Sequence, residues 1–165
     1  MTILRKTMIV SAAAVLAAGL STAVSAAELR MSSQWTENTA GAKVDKWWAS
    51  EIEKRTKGEV KIKIFWAGVL GKAKENLGLI QQGAIELAAM SPGYFPAELP
   101  FHAAPNSIPM AMSRVDQATA LMERLLTEVP EFDMEAKRNG MKALFMHHLN
   151  PYQLVCKDHI KSLAD

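Results

Sequence analysis

The chain has 165 residues, 49% of them hydrophobic, with 19 lysines and arginines against 17 aspartates and glutamates and a formal net charge of +2. Arg5 and Lys6 account for that excess, because residues 1–26 contain no acid; the remainder is balanced and carries no nucleic-acid footprint. The single cysteine, Cys156, excludes an intramolecular disulfide, so the fold must rest on its core.

The N-terminus has three parts. Arg5 and Lys6 form a positive start, Met8–Leu20 is apolar and rich in alanine, and small residues end at Val24-Ser25-Ala26. This is the pattern of a secretory signal peptide over residues 1–26, removed on export. The apolar run is shorter than the about 20 residues a membrane-spanning helix requires, so no membrane insertion of the mature chain is expected. N-terminal sequencing of the exported protein should begin near Ala27; intact Met1 recovered in the membrane fraction would overturn this reading.

Residues 27–165 fit one domain. Leu29–Ser33 reads as a first strand, leading into Gln34-Trp35-Thr36-Glu37-Asn38. Val44, Trp47, Trp48 and Ile52 recur at helical spacing, which places Trp47 in the core with Trp48 beside it, and Gly58 stops that helix. Val60, Ile62, Ile64 and Trp66 alternate with Lys61, Lys63 and Phe65 as a second strand. A second helix is expected over about Lys72–Gln82, stopped by Gly83, and a short third strand over Ile85–Met90, closed by the turn Ser91-Pro92-Gly93.

Tyr94–Met112, with Pro96, Pro100, Pro105 and Pro109, reads as a loop. Ser113 and Asp116 resemble a capping box for a helix with Val115, Ala118, Met122, Leu125 and Leu126 inward. Pro130 opens another helix that stops at Gly140. Met141–His147 reads as a fourth strand, Leu149–Tyr152 as a break, and a further strand starts near Gln153. Alternating strands and helices imply an α/β domain with a mostly parallel sheet flanked by helices.

In such sheets ligands sit beyond the carboxyl ends of the strands. Gln34-Trp35, Trp66–Gly68, Ser91–Tyr94 and Leu149–Tyr152 occupy those positions, and they offer aromatic faces and hydrogen-bonding groups but few nucleophiles. Trp35 lies outside any periodic stripe and either lines such a cleft or packs inward. Lys72 and Lys74 begin a helix, where they are either solvated or face an anion. No nucleophile-elbow, phosphate-loop, zinc-protease or dinucleotide motif is present. His147 and His148 are adjacent on an expected strand and point to opposite faces, so no metal is expected there. His102 and His159 lie in loop-like context without ligand spacing. Cys156, within Leu154-Val155-Cys156, reads as a buried hydrophobe rather than a nucleophile.

Several stretches in order resemble the extracytoplasmic solute receptors of tripartite ATP-independent periplasmic (TRAP) transporters, the dicarboxylate-receptor family. They are Leu29-Arg30-Met31-Ser32-Ser33, Thr56–Ile62 leading to Gly68-Val69-Leu70-Gly71, Glu75–Leu87, Gly140–Leu144, and Ile160–Asp165. The resemblance implies a periplasmic, two-lobed α/β receptor that closes on a small organic acid and delivers it to TRAP membrane permease subunits, with no catalysis and no cofactor. It also implies that residues 27–165 are an incomplete N-terminal lobe, the second lobe and its carboxylate-gripping arginine lying beyond Asp165. By position, Gln34 matches a polar ligand contact. Ser91 stands where some members place an acidic contact, Tyr152 near a basic one, and Lys72 where some use an acidic side chain. A sialic-acid-type pattern is therefore not supported. Gln34, Trp35, Ser91, Tyr94 and Tyr152 are the expected ligand-binding residues, with Lys72, Glu75, His147 and His148 as weaker candidates. Two other readings stand beside this one: a periplasmic enzyme working through His147 or His148, and a ligand-sensing receptor lobe.

Overall fold

The computed structural model describes residues 26–108, 114–146, 148 and 157. Alternating side chains build the sheet. Strand β1 (Ala27–Ser33) is central, with β2 (Val60–Phe65) on one side and β3 (Leu87–Ala89) on the other, in the order β2-β1-β3. Both pairings are parallel, running from Ala27↔Val60 to Ser32↔Phe65 and from Met31↔Leu87 to Ser33↔Ala89. Parallel neighbours need crossovers, which helices supply. Helix α1 (Ala40–Arg55) joins β1 to β2, and α2 (Asn76–Gln81) precedes β3.

Helix α1 starts where Thr39 Oγ1 accepts from the Ala42 amide at 3.3 Å. Lys54 and Arg55 occupy its last turn, where the helix dipole favours cations. Lys57 and Gly58 then take positive φ, and the Gly58 amide donates to the Glu53 carbonyl at 2.8 Å. The face turned inward corrects the sequence expectation. Ala42 and Asp45 are buried and Ala49 and Ile52 half-buried, whereas Trp47 is 61% exposed and Val44 is also exposed. The inward stripe thus runs through Ala42, Asp45, Ala49 and Ile52, and the exposed Trp47 lies outside it. Trp48 is half-buried, with its ring 5.2 Å from that of Phe145.

Of the prolines expected to mark a loop, Pro100 instead starts a helix, α3 (Pro100–Ser107), where a missing N–H costs nothing, and Pro105 lies within it. Pro130 opens a helix as expected, α5 (Pro130–Arg138), and Pro92 opens a 3₁₀ turn (Pro92–Tyr94). Helix α4 (Val115–Glu128) buries Ala118 and Met122 as expected, while Val115 is exposed at the first turn. Its N-cap is Arg114, which pairs with Asp116 through Nε at 3.0 Å; Ser113 lies outside the described residues. The second helix is shorter than expected because Lys72–Glu75 form a turn, in which the Glu75 carboxylate accepts from the Lys72 amide at 2.8 Å.

Residues 141–146 form no strand. Their burial does alternate, Met141 and Ala143 inward against Lys142 and Leu144 outward. The segment is held by side chains instead of a ladder. Met141 packs on the core of Leu77, Phe95 and Leu99, and Phe145 meets Trp48. His147, Leu149–Cys156 and His159 lie outside the described residues, as does the expected signal peptide up to Ser25. No described helix is long and apolar enough to cross a membrane.

Long-range polar pairs fix the layers. Arg30 grips Glu86 with Nη2 at 2.8 Å and Nε at 3.2 Å, clamping β1 to the approach of β3. The hydrogen bonds and charge from Arg30 hold the Glu86 carboxyl down at about 2. Ser32 Oγ donates to Asn76 Oδ1 at 2.8 Å with both residues fully buried. His102, expected in a loop, is buried in α3. Its Nδ1 lies 2.5 Å from Glu135 Oε2 of α5, and the Phe101 and His102 amides donate to the same carboxylate at 2.8 and 3.0 Å.

Candidate functional site

Three parallel strands bring three exits to one edge of the sheet. Gln34-Trp35 follows β1, Trp66-Ala67-Gly68 follows β2, and Met90–Tyr94 follows β3. The first two exits are tied together. The Ala67 amide donates to the Trp35 carbonyl at 2.8 Å, and the Gly68 amide to the Ser33 carbonyl at 3.0 Å. The Trp35 amide is itself held by Ser33 Oγ at 3.3 Å. Lys46 of α1 adds a further tie, with Nζ 2.9 Å from Glu37 Oε1 and 5.6 Å from the Trp66 ring centroid.

Gln34 and Trp35 are both half-buried at this edge. The Gln34 Oε1 atom is enclosed without a hydrogen-bond partner, so its amide retains unused accepting capacity. Ser91 is half-buried, and its carbonyl accepts from the Tyr94 amide at 3.1 Å. The Tyr94 side chain is 48% exposed, available rather than packed into the core. Four of the five expected ligand-binding residues thus follow strands that end at one edge. Tyr152 lies outside the described residues.

The weaker candidates divide. Glu75 is exposed, but its carboxylate is occupied in closing the turn at Lys72, and the Lys72 side chain is exposed. His148 is half-buried. A groove of about 280 Å³ runs between α1 and β2, floored by Ile62, Ile64 and Ala49. It reaches the strand-exit edge only at Trp66 and does not include Gln34, Ser91 or Tyr94. Sequence reading missed the Lys46 bridge, the Ser32–Asn76 pair and the His102–Glu135 pair. A lysine on a helix carries no local sign that its ammonium will reach a tryptophan at the exit of the neighbouring strand.

A parallel sheet with hydrogen-bonding and aromatic groups at its strand exits places the chain in the class of layered α/β domains. Residues 31–165 match bacterial extracellular solute-binding protein, family 7, and the chain belongs to that family, which is one of binding proteins and not of enzymes. A comparison with curated proteins gives no match. Among solved structures, a TRAP periplasmic solute-binding protein from Desulfovibrio salexigens is 24% identical with a TM-score of 0.62, covering 69% of this chain and 35% of its own. A Bordetella pertussis extracytoplasmic solute receptor binding pyroglutamic acid is 20% identical with a TM-score of 0.60, covering 70% and 37%. A Sulfitobacter protein of the same kind, with β-D-galacturonate bound, is 21% identical with a TM-score of 0.56, covering 68% and 37%. The fold is shared with these proteins, and the match spans little more than a third of their length.

Proposed function

We propose that this chain is the solute-capturing component of a TRAP-type uptake system. Residues 27–165 form its N-terminal lobe and one wall of the ligand site; the two-lobed receptor acts in the periplasm after export, binds a small organic acid, and hands it to membrane permease subunits. The family match over residues 31–165 carries this reading. The strand-exit edge supports the location of the ligand: Gln34, Ser91 and Tyr94 offer amide and hydroxyl groups to orient an acid, and Trp35 offers a ring to cover its carbon skeleton. Tyr152 joins them from its place in the sequence. The ligand class is drawn broadly. The Sulfitobacter relative holds a uronate and the Bordetella relative a cyclic amino acid, so a dicarboxylate is one candidate among several.

Calorimetry of the receptor with both lobes present against galacturonate, glucuronate, pyroglutamate and succinate tests the reading. One of these acids, or a close analogue, should bind saturably. Trp35→Ala should then weaken binding by about 1.5–3 kcal/mol, roughly tenfold to a hundredfold, the worth of one buried large side chain. Unchanged affinity in that variant would remove Trp35 from the site.

A further inference from the structure

Alanine resists the left-handed backbone because its Cβ crowds the following carbonyl. Only Lys57 (φ 51°) and Ala67 (φ 55°) adopt it among the described non-glycine residues. Lys57 has an ordinary reason, since it ends α1 just before Gly58. Ala67 ends no helix. It lies two residues past the end of β2 and is succeeded by Gly68, also left-handed at φ 71°. This pair of turns aims two successive amides across the sheet edge at the carbonyls of Trp35 and Ser33, at 2.8 and 3.0 Å.

We propose that Ala67 is a positioning residue for Trp35: its strained backbone fixes the β1 exit at the rim where the ligand would bind. The importance of that rim rests on the binding function proposed above; the positioning itself does not. Three observations point the same way. Trp35 is held at both its amide, by Ser33 Oγ, and its carbonyl, by Ala67. Lys46 independently bridges the same two exits through Glu37 and Trp66. Gly68, the second residue of the turn, is itself confined to glycine, because a Cβ there would meet the Gly71 carbonyl oxygen at 3.1 Å in a left-handed backbone. Strained residues persist where their surroundings over-determine them, and a preorganised rim loses less freedom when it orders around a ligand.

The test uses nitrogen-15 spectra of the full chain, with the Trp35 indole signal assigned by Trp35→Phe. In the parent protein the Ala67 amide should be protected from hydrogen exchange. Ala67→Gly keeps both the amide and the left-handed turn, so it should leave the Trp35 signal in place and raise the melting temperature. Ala67→Val disfavours the turn without deleting the amide. It should speed exchange at position 67 by at least about tenfold and shift or broaden the Trp35 signal, while core amides at Leu99 and Met122 stay protected. Ala67→Pro removes the amide, so position 67 has no exchange to follow, and it should shift or broaden the Trp35 signal more strongly than the valine variant. An unprotected Ala67 amide in the parent, or a Trp35 signal unmoved in the valine variant, would overturn the proposal. The readout needs no ligand: a moved Trp35 signal with no acid bound in calorimetry would sustain the positioning role and reject the binding function.

Discussion

Replacing Glu135 by alanine is expected to destabilise the protein by about 3–5 kcal/mol, because it leaves several buried donors without their acceptor, each at a cost of about 1–3 kcal/mol. The carboxylate is 1% exposed and accepts from three donors: the Phe101 amide, the His102 amide and the His102 ring. Two of these are free N–H groups at the start of α3, a helix whose own N-cap, Leu99, provides no side-chain acceptor. Glu135 thus caps α3 from α5, and its loss strands the imidazole and both amides at once. Glu135→Gln should cost less, because one carbonyl oxygen remains to accept. Urea unfolding followed by circular dichroism measures both; a loss below about 1 kcal/mol for the alanine variant would reduce the pair to the worth of an exposed ion pair.

The same pair sets a pH dependence. Burial by itself pushes the Glu135 carboxyl up, but the His102 side chain and the two amides outweigh it and leave the group below the usual carboxylate range. A carboxyl held lower in the folded than in the unfolded state releases its proton more readily when folded. Its stabilising contribution is complete above the unfolded value of about 4.3 and is lost as pH falls toward the folded value. Parent protein should therefore lose stability more steeply in acid than the Glu135→Gln variant does.

The second large effect belongs to Leu99. It is fully buried, forms the core with Leu77 and Phe95, and is flanked by Met90 and Met141. Its amide donates to the Phe95 carbonyl, and its carbonyl accepts from Ala103, each at 2.8 Å, so the backbone at the head of α3 cannot shift to fill a void. Leu99→Ala should cost about 2–5 kcal/mol, the transfer term plus the cavity term. Leu99→Met, nearly equal in volume, should cost less than about 1.5 kcal/mol. Equal losses in the two variants would show that shape, and not burial, governs the position.

Much of the scaffold was legible because its signals are local. The lysine–isoleucine alternation of β2, the glycine stop after α1 and the proline start of α5 each act within a few residues. From these came the parallel sheet and the common edge shared by Gln34, Trp35 and Ser91. The errors share a cause as well. Periodicity alone counted Trp47 as core because tryptophan is large and apolar, but the inward stripe of α1 runs through Ala42, Asp45, Ala49 and Ile52. Proline density suggested a loop between Tyr94 and Met112, yet Pro100 sits at a helix start, where it is favoured. Met141–Leu144 has the burial rhythm of a strand without a ladder partner among the described residues. His102 and Glu135 are separated by 33 positions, and Ser32 and Asn76 by 44. Pairings of that kind exist only after the layers close, so no local pattern announces them.

The Ser32–Asn76 bond bears on how the sheet finds its alignment during folding. Strand β2 repeats the couplet Val60-Lys61, Ile62-Lys63, so sliding β1 past it by two residues leaves every side chain on its proper face and changes the apolar contacts little. Such near-degenerate pairings are how parallel sheets become trapped. Ser32 distinguishes them. A slide in one direction would bring Arg30 against the buried Asn76 and enclose a guanidinium that now sits with Glu86 at the surface. A slide in the other would bring Gln34, too long for the space a serine fills. One small hydroxyl, hidden from solvent, thereby favours a single register on a strand whose side-chain pattern would accept several.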